Sequence, residues 1–374
     1  MSLPLPARRG RVALSMIVKN EAHVIQRCLA SVRPLIDRWV VVDTGSTDGT
    51  QDLVRQALAD LPGELLEQPW VDFAHNRNQA LDAARRWADY CFTIDADECL
   101  DWPDGYQLPE LTHDAYGLWL EFAELRYRRV CLLRSATPWR WHGVLHEYLD
   151  AGLATTQGTL EGPRVVVRAE GARSRNPHKF RDDAAVLERA LRDEPGNTRY
   201  QFYLAQSWRD AGEPARAYRA YQKRAEMGGW EEEVWYSRWQ MARLLESLAA
   251  PDAEIHAAYQ LAWLTRPTRA EPLLDLARRH RLRSEWPLAF LYARQASELP
   301  LPEDQLFVDA SAYRWRALDE LATAAYYMGR DSLGADALRR LVSEKLAPAS
   351  EIPRLRGNLQ FYRQRGWLLD LAEP

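Results

Sequence analysis

Short apolar runs alternate with amphipathic segments over the first hundred residues, and this alternation constrains the fold more than any other feature. The predicted strands are Val12–Val18, Trp39–Val42, Glu64–Glu67 and a run that begins at Tyr90. The predicted helices, whose apolar residues recur at helical spacing, are Ala22–Val32, Gln51–Leu61 and Asn76–Ala88. Strands that alternate with helices are typical of an α/β domain built on a mostly parallel sheet.

The apolar run Tyr90–Ile94 ends abruptly in Asp95, Ala96, Asp97 and Glu98. Aspartate is a poor strand former and is costly to bury without a partner, so packing does not explain this ending. Two carboxylates in alternate positions at the end of a strand suit one hard divalent cation, which in turn can hold a diphosphate. The alternative is a solvent-exposed turn in which the acids have no ligand.

Polar residues follow two other predicted strands. Lys19, Asn20 and Glu21 come after the first strand, and Asp43 comes after the second. Ligands of parallel sheets bind beyond the carboxyl ends of the strands, so we expect these residues to meet Asp95–Asp97 at one rim. Asp43 has an alternative role as a turn residue that hydrogen-bonds the backbone of its own loop.

Three elements of this region resemble those of the family 2 glycosyltransferases of the GT-A fold. Val40–Thr50 resembles the loop VVDxGSTDGT, His75–Leu81 resembles the element ARNxAL, and Asp95–Glu98 matches the DADE form of the DxD motif. The elements follow one another at family-like spacing within residues 11–150. The resemblance implies a Rossmann-like GT-A domain over residues 1–170 that uses a nucleotide-sugar donor.

The resemblance also implies roles for individual residues. Asp43 would accept a hydrogen bond from the uracil imide of a UDP-sugar, or from another base or ribose donor. Asp97 would bind Mn²⁺ or Mg²⁺, and Asp95 would contact the ribose or reach the metal through water. Arg77 would pair with a phosphate or with Asp43, unless it is a surface residue of its helix, and Asn78 would brace the loop. The remaining candidates for contact with the donor are Lys19, Asn20, Glu21 and Ala96.

The segment Trp139–Glu147 is unusually rich in aromatic and polar residues. It resembles the W-x-G-x-V-H-E segment of some family 2 enzymes, which implies that His146 is a further metal ligand; a structural histidine in a short strand is the alternative. Family 2 enzymes invert the anomeric centre, which requires one carboxylate base beside the acceptor. Glu147 is the first candidate base, although strand alternation would point it away from His146. Glu121, on a predicted β-ribbon, is the second.

The pattern changes after the last predicted strand, Val165–Arg168. From Pro177 onward no strand is predicted, and alanine, leucine, arginine and glutamate become more frequent, which predicts an all-α domain over residues 177–374. Large, small and aromatic residues recur there at the spacing of tetratricopeptide repeats. The best copy comprises Leu204, Ala205, Trp208, Gly212, Ala217 and Tyr221. The combined architecture resembles a bacterial and phage group that includes the sublancin-type peptide S-glycosyltransferases.

A helical array of this kind offers a surface for an extended acceptor, such as a peptide or a glycan, or a face for homodimer formation. Aromatic residues cluster on one predicted helical stretch, at Trp230, Trp235, Tyr236 and Trp239. They form either such a surface or the packing between repeats.

Composition excludes several classes of protein. The net charge of −4 without a long basic run argues against a general nucleic-acid binder. No apolar run is long enough for a transmembrane helix, and Met1–Arg11 lacks the apolar core of a signal peptide. Four cysteines without CxxC spacing predict reduced thiols in or near the core, so we expect a cytoplasmic protein.

The leading hypothesis is a metal-dependent, inverting glycosyltransferase that moves a sugar from a UDP-sugar or a related donor. The acceptor is a peptide or protein side chain, a glycan or a small molecule. The second hypothesis is a non-catalytic repeat scaffold that carries a degenerate nucleotide-sugar-binding domain. The third is another metal-dependent nucleotidyl enzyme, which would release pyrophosphate or a monophosphate.

Overall fold

A computed structural model describes residues 10–122 and 125–367 of the chain. The chain divides into two compact units, Met1–Ala190 and Leu191–Pro374. This division falls later in the chain than the predicted end of the first domain at residue 170 and the predicted start of the second at residue 177. The two predicted domain boundaries stay a prediction.

The first unit is built on an eight-stranded mixed sheet. Its strands are β1 (Val12–Val18), β2 (Arg38–Asp43), β3 (Gly63–Glu67), β4 (Tyr90–Thr93), β5 (Glu98–Asp101), β6 (Ala115–Phe122), β7 (Leu125–Arg134) and β10 (Gln157–Val167). Their order across the sheet is β3-β2-β1-β4-β7-β6-β10-β5. Four of the seven neighbouring pairs are parallel, namely β3 with β2, β2 with β1, β1 with β4 and β6 with β10. The predicted α/β unit with a mostly parallel sheet is confirmed.

Three helices connect the parallel strands: α1 (Ile25–Val32), α2 (Thr50–Ala57) and α3 (Phe73–Ala84). In α1 every buried residue lies on one stripe, formed by Ile25, Cys28, Leu29 and Val32. Helix α3 begins three residues earlier than predicted because the carboxylate of Asp72 accepts a hydrogen bond from the backbone N–H of His75 at 2.7 Å. This is a side-chain N-cap, which stabilises the first turn.

Neighbouring residues of the central strands pack into two different clusters. Leu14 and Phe92 belong to one cluster, and Ala13 and Cys91 belong to another. Successive side chains of a strand point to opposite faces, so both faces of β1 and β4 are buried, as in other parallel sheets. All four cysteines are free thiols, as predicted, and only Cys99 is partly exposed.

Several strands after β4 differ from the prediction. The β6–β7 ribbon is confirmed, but β5 was missed because it begins with Glu98, a charged residue that is nevertheless buried. Strand β10 extends much further toward the N-terminus than the predicted Val165–Arg168. A separate hairpin of two short strands, β8 (Arg140–His142) and β9 (Tyr148–Asp150), lies within the segment that was singled out for its aromatic density.

The described residues of the second unit form helices and the segments that connect them, without a strand. After α4 (Lys179–Asp193), its helices are α5 (Thr198–Asp210), α6 (Pro214–Glu226), α7 (Glu231–Ser247), α8 (Asp252–Thr265), α9 (Glu271–Leu282), α10 (Trp286–Ser297), α11 (Ala317–Tyr327), α12 (Asp331–Ser343) and α13 (Ile352–Gln364). From α5 to α13 each helix packs against the next one along the chain. Packing between sequence neighbours is typical of helical repeat arrays, so the predicted all-α domain is confirmed. No helix in the described ranges is both long and apolar enough to cross a membrane.

The aromatic cluster of α7 belongs mainly to the core of the array. Trp235, Tyr236 and Trp239 are buried, and the rings of Trp235 and Trp239 stack at 5.5 Å, whereas Trp230 is 41% exposed. The guanidinium of Arg269 lies 3.7 Å from the centre of the Trp235 ring. For the three buried residues the packing interpretation is therefore confirmed.

Substitution by alanine at two helix-interior glycines is expected to change the stability in opposite directions. A Cβ atom at Gly334 of α12 would overlap the hydroxyl of Tyr362, which donates a buried hydrogen bond to the carbonyl of Ala322. We expect Gly334→Ala to lower the free energy of unfolding by about 1–3 kcal/mol, since overpacking costs this much. Gly357 of α13 has open space around its Cα. Gly357→Ala is expected to raise the same free energy by roughly 0.5–1 kcal/mol. Urea unfolding followed by circular dichroism measures both, and equal effects would contradict this packing.

Candidate active site

Asp43, the last residue of β2, organises the loop that follows it. Its Oδ1 accepts hydrogen bonds from the backbone N–H groups of Gly45 at 2.9 Å and Ser46 at 2.8 Å, and from Nε2 of Gln51 at 3.2 Å. Gly45 has a φ of 101°, a conformation that favours glycine. The turn role is thus confirmed for one carboxylate oxygen of Asp43.

The second oxygen of Asp43 is different. Oδ2 is buried, and no group among the described residues donates a hydrogen bond to it. A buried acceptor without a donor is costly, so this atom is suited to an N–H or O–H group of a ligand.

The loop after β1 is joined to the Asp43 loop. The backbone N–H of Asn20 donates to Oγ of Ser46 at 2.8 Å, and the N–H of Thr47 donates to Oδ1 of Asn20 at 2.8 Å. The N–H of Glu21 donates to Oγ1 of Thr50 at 2.9 Å. Lys19 is exposed beside them. The structure therefore brings the residues after β1 and β2 together, as the parallel pairing of Val18 with Asp43 requires.

Arg77 of α3 connects two of the predicted site carboxylates. Its Nη2 donates to Oδ1 of Asp95 at 2.6 Å, and its Nε donates to Oε1 of Glu147 at 2.7 Å. The Arg77 side chain is only 12% exposed, so it is not a surface residue of its helix, and its carboxylate partners are Asp95 and Glu147 rather than Asp43. The predicted pairing of Arg77 with Asp43 is therefore wrong, and its predicted pairing with a phosphate stays a prediction.

The ion pairs around Arg77 affect its ionisation and that of Asp95. Burial opposes ionisation of Asp95, but the charges of Arg77 and Arg129 outweigh it and hold the pKa of Asp95 below its ordinary value. Burial likewise disfavours charged Arg77, but attraction to Asp95 and Glu147 raises the pKa of Arg77. Asp95 and Arg77 are therefore charged at neutral pH.

The β8–β9 hairpin positions Glu147. Asn78 of α3 exchanges two hydrogen bonds of 2.9 Å with the backbone N–H and carbonyl of Trp141, and so joins β8 to α3. His146 has a φ of 53° and lies in the turn between β8 and β9, not in a strand. The strand alternation that would point Glu147 away from His146 therefore does not apply, because the chain is not extended at this point.

The acidic turn after β4 is fixed by a residue that the sequence did not reveal. Arg129 of β7 donates to both carboxylate oxygens of Glu98 at 2.7 and 2.5 Å, and Glu98 accepts from the backbone N–H of Asp95 at 3.0 Å. Burial raises the pKa of Glu98 in spite of Arg129. Glu98 thus has a structural partner, and Ala96 packs in the core beside the turn. A buried acid implies a basic partner, but β7 contains several arginines and the sequence does not indicate which one.

Asp97 and Glu21 both accept hydrogen bonds from one backbone segment, Gly171–Ala172. Oδ2 of Asp97 accepts from the N–H of Gly171 at 3.1 Å, and both oxygens of Glu21 accept from the N–H of Ala172 at 3.1 and 3.2 Å. Burial raises the pKa of Glu21, the Ala172 N–H opposes this, and nearby Asp97 adds to it. The contact with Gly171 and Ala172 was not predicted, because no sequence motif marks it.

Asp97 and Asp95 differ in whether a basic side chain pairs with them. Within the described ranges, Asp97 forms no ion pair with a basic side chain, whereas Asp95 is paired with Arg77. No three histidine, cysteine or acidic side chains of the described residues are arranged to hold a metal ion. Binding of a metal by Asp97, Asp95 and His146 stays a prediction.

The second candidate base, Glu121, lies in β6 and has other partners than Glu147. It forms ion pairs with Arg126 at 3.5 Å and with Arg164 at 3.3 Å. No hydrogen bond or ion pair joins it to Arg77, Asp95 or Asp97 among the described residues. Of the two candidates, only Glu147 is connected to the acidic turn.

Parts of the chain are similar to known proteins. Residues 14–108 match the family model described as Glycosyl transferase family 2. A TPR repeat-containing protein of Synechococcus elongatus is 33% identical over 167 residues, which cover 41% of this chain and 39% of that protein. The lipopolysaccharide core biosynthesis glycosyltransferase LpsC of Rhizobium meliloti is 37% identical over 97 residues, which cover 26% of this chain and 35% of LpsC.

A third relative is the SPbeta prophage-derived glycosyltransferase SunS of Bacillus subtilis, 32% identical over 87 residues, which cover 23% of this chain and 20% of SunS. The chain spans at most 39% of the length of each of these relatives. The family match runs from Leu14, within β1, to the end of β5 and beyond, so it includes Asp43, Arg77 and the acidic turn. Residues 14–108 of the first unit are therefore similar to a glycosyl transferase family 2 domain.

Proposed function

We propose that this protein is a glycosyltransferase that moves a sugar from a nucleoside diphosphate sugar, with a UDP-sugar as the first candidate donor. The observation that carries the proposal is the unpartnered, buried Oδ2 of Asp43 at the rim shared with Asn20, Glu21 and the acidic turn. The family 2 match over residues 14–108 supports the same reaction class.

In this proposal Asp43 recognises the base. Its Oδ1 is already saturated by the loop, so Oδ2 accepts the imide N–H of uracil or an equivalent donor. A fixed, buried acceptor discriminates strongly against a base that offers no donor at that point, because the acceptor is then left unpaired.

Asp97 fits a divalent cation, since it is a carboxylate without a basic partner among the described residues and oxygen ligands suit Mg²⁺ and Mn²⁺. Asp95 and His146 are the further proposed ligands. When bound, the cation would stabilise the negative charge that develops on the departing diphosphate. Lys19 and the backbone around Ala96 are proposed to contact the same part of the donor.

Glu147 is the proposed general base. It accepts the proton of the acceptor's attacking group while that group's electron pair forms the bond to the anomeric carbon. The bond from this carbon to the diphosphate breaks on the opposite side, and its electrons leave with the nucleoside diphosphate, which inverts the anomeric centre. Arg77 orients Glu147 and fixes it relative to Asp95 through bonds of 2.7 and 2.6 Å.

The acceptor classes are a peptide or protein side chain, a glycan and a small molecule. One relative is named for lipopolysaccharide core biosynthesis, which favours including glycans in a first screen. The helical array is proposed to bind an extended acceptor or a second copy of this chain, and the protein is proposed to act in the cytoplasm. A non-catalytic scaffold is the alternative, against which the complete set of Asp43, Arg77, Asp97 and Glu147 argues.

The base assignment predicts the effect of Asp43→Asn. The amide oxygen of asparagine can keep the bonds from Gly45 and Ser46, but its Nδ2 replaces the buried acceptor with a donor. We expect the affinity for UDP with Mn²⁺ to fall about 10- to 100-fold, as for loss of a buried hydrogen bond. Isothermal titration calorimetry measures the affinity. Asp52→Asn, an exposed residue of α2 that pairs with Arg55, is the matched control and is expected to bind like wild type.

A thermal-shift panel of nucleoside diphosphate sugars with Mn²⁺ tests the donor class, since a ligand of the folded state raises the unfolding midpoint. We expect UDP-sugars to raise the midpoint. Shifts with GDP- or dTDP-sugars but none with UDP-sugars would overturn the uracil assignment. No shift with any member, together with no donor hydrolysis, would favour the scaffold.

A further inference from the structure

The rim of the candidate site carries several carboxylates, whereas the diphosphate of a nucleoside diphosphate sugar is itself negatively charged. Two arginines near the acidic turn already have acidic partners. Arg77 donates to Asp95 and Glu147, and Arg129 donates to both carboxylate oxygens of Glu98. Like charges repel at short range, so a diphosphate bound here requires positive charge beyond that of these two arginines.

Arg173 is a third arginine beside these carboxylates. It directly follows Gly171 and Ala172, whose backbone N–H groups donate to Asp97 and Glu21, respectively, at 3.1 Å. A Cβ atom at position 171 would lie 2.9 Å from Oδ2 of Asp97, so the backbone contacts this carboxylate closely. These contacts hold the backbone that carries Arg173 against the rim.

The side chain of Arg173 lies on the side of the rim where Arg77 meets Asp95. Its Nη2 donates to Asp183 of α4, and its guanidinium carbon lies 4.5 Å from the centre of the Phe73 ring. Phe73 and Arg77 are one turn apart in α3 and therefore lie on one face of that helix. Burial raises the pKa of Asp95, and the charge of Arg173 is among those that lower it. The guanidinium is thus close enough to the acidic turn to act on its charge.

Arg173 keeps hydrogen-bond donors for a ligand. A guanidinium carries five N–H donors in a planar fork. Over the part of the chain that the structure describes, Nη2 of Arg173 bonds to Asp183, while its Nε and Nη1 make no hydrogen bond or ion pair. The Arg173 side chain is 37% exposed and that of Asp183 only 10%, so a ligand can reach the pair from the Arg173 side. The remaining donors match the oxygens of a phosphate group.

We propose that Arg173 binds the diphosphate of the donor through Nε and Nη1 and stabilises the negative charge that develops on it as its bond to the sugar breaks. This inference rests on the proposed function, which supplies the donor. Asp183 and Phe73 hold the guanidinium in place, so little reorganisation is required during the reaction. Arg173 stays protonated throughout, and the electrons of the broken bond leave with the nucleoside diphosphate.

An ion pair that only joins the segment after β10 to α4 is the alternative, and two variants separate the roles. Arg173→Ala removes the guanidinium, whereas Asp183→Asn removes the charge of its partner but keeps the guanidinium and an oxygen that accepts from it. Isothermal titration calorimetry with Mn²⁺ present measures the affinity for UDP. We expect Arg173→Ala to bind UDP about 10- to 100-fold more weakly than wild type, as for loss of charged hydrogen bonds. Asp183→Asn is expected to bind UDP at least as tightly as wild type. Arg175→Ala, at an exposed arginine of the same segment, is the control and is expected to bind like wild type.

Uridine, titrated as a competitor of UDP, tests whether Arg173 acts on the phosphates. Because uridine lacks phosphates, its affinity is expected to be the same in Arg173→Ala as in wild type. Equal losses of affinity for UDP and uridine would assign Arg173 a structural role and overturn the inference. Equal losses of UDP affinity in Arg173→Ala and Asp183→Asn would overturn it as well, and this comparison decides alone if uridine does not compete measurably.

Failure of this inference differs from failure of the proposed function. If wild type and Arg173→Ala bind UDP equally well, Arg173 does not hold the diphosphate and the proposed function stands. If wild type binds neither UDP nor a UDP-sugar, the proposed function fails, and the inference with it. Should Arg173→Ala not fold because Asp183 is left unpaired, the double variant of Arg173→Ala and Asp183→Asn removes both charges and is compared with Asp183→Asn instead.

Discussion

Replacing Arg77 by alanine is expected to lower the free energy of unfolding of the first unit by about 3 kcal/mol at neutral pH, the lower end of the range for a broken buried ion pair. The change leaves Glu147, which is 13% exposed, without its partner, and removes one of the charges that hold Asp95 ionised. The lower end applies because Asp95 is 40% exposed and water partly compensates for the lost pair.

The effect of Arg77→Ala should depend on pH. The pKa of Asp95 lies below its ordinary value in the folded protein, so its contribution to stability is present above about pH 4 and is lost as the pH falls through the folded value. In the variant, burial without Arg77 favours the protonated form of Asp95, so protonation of Asp95 reduces the destabilisation of the variant as the pH falls. We expect the gap between wild type and variant to be larger at pH 7 than at pH 4.5.

Chemical unfolding at the two pH values measures this gap, and Arg140→Ala is the control. Arg140 donates to Asp82 at 2.6 Å, but this pair is exposed, so its removal is expected to cost no more than about 1 kcal/mol. Equal losses for Arg77→Ala and Arg140→Ala would show that the Arg77 pairs do not stabilise the fold as proposed.

The sequence predicted the rim of this site because its elements are local. Asp43 and Asp97 each follow an apolar strand, and the carboxyl ends of parallel strands necessarily meet at one edge of the sheet. The turn of Asp43 was also predictable, since aspartate bonds to nearby backbone N–H groups two and three residues on, and the structure shows both bonds.

The contacts that the sequence did not predict join residues that lie far apart along the chain. Glu147 lies 70 residues from Arg77, and Gly171 lies 74 residues from Asp97. Such contacts follow from how β7, β10 and the β8–β9 hairpin return to the first sheet strands, which hydrophobic periodicity does not encode. One residue of the sequence, Gly143, indicated a turn near His146, because a glycine inside a strand pattern suggests an interruption of the strand. In the structure Gly143 has a φ of 100°.

The geometry also bears on the choice between the two candidate bases. Glu147 is the first candidate from the sequence and Glu121 the second, although strand alternation argues against Glu147. In the structure Arg77 joins Glu147 to Asp95, whereas Glu121 pairs with Arg126 and Arg164 away from the rim. A base must lie within hydrogen-bond reach of the group it deprotonates, so its connection to the acidic turn favours Glu147.

Glu147→Gln is therefore expected to slow donor turnover about 10²- to 10⁴-fold, the usual contribution of a general base. The substitution keeps the shape of the side chain and an oxygen that accepts from Nε of Arg77, and Asp95 still pairs with Arg77, so the variant should fold and its UDP affinity should change little. Release of UDP from a UDP-sugar with Mn²⁺, with water as the acceptor, measures the rate because water also needs a base. Glu121→Gln is the matched control and should turn over like wild type. A large loss in Glu121→Gln with none in Glu147→Gln would reverse the assignment, and equal losses of UDP affinity and rate in Glu147→Gln would instead assign Glu147 to donor binding.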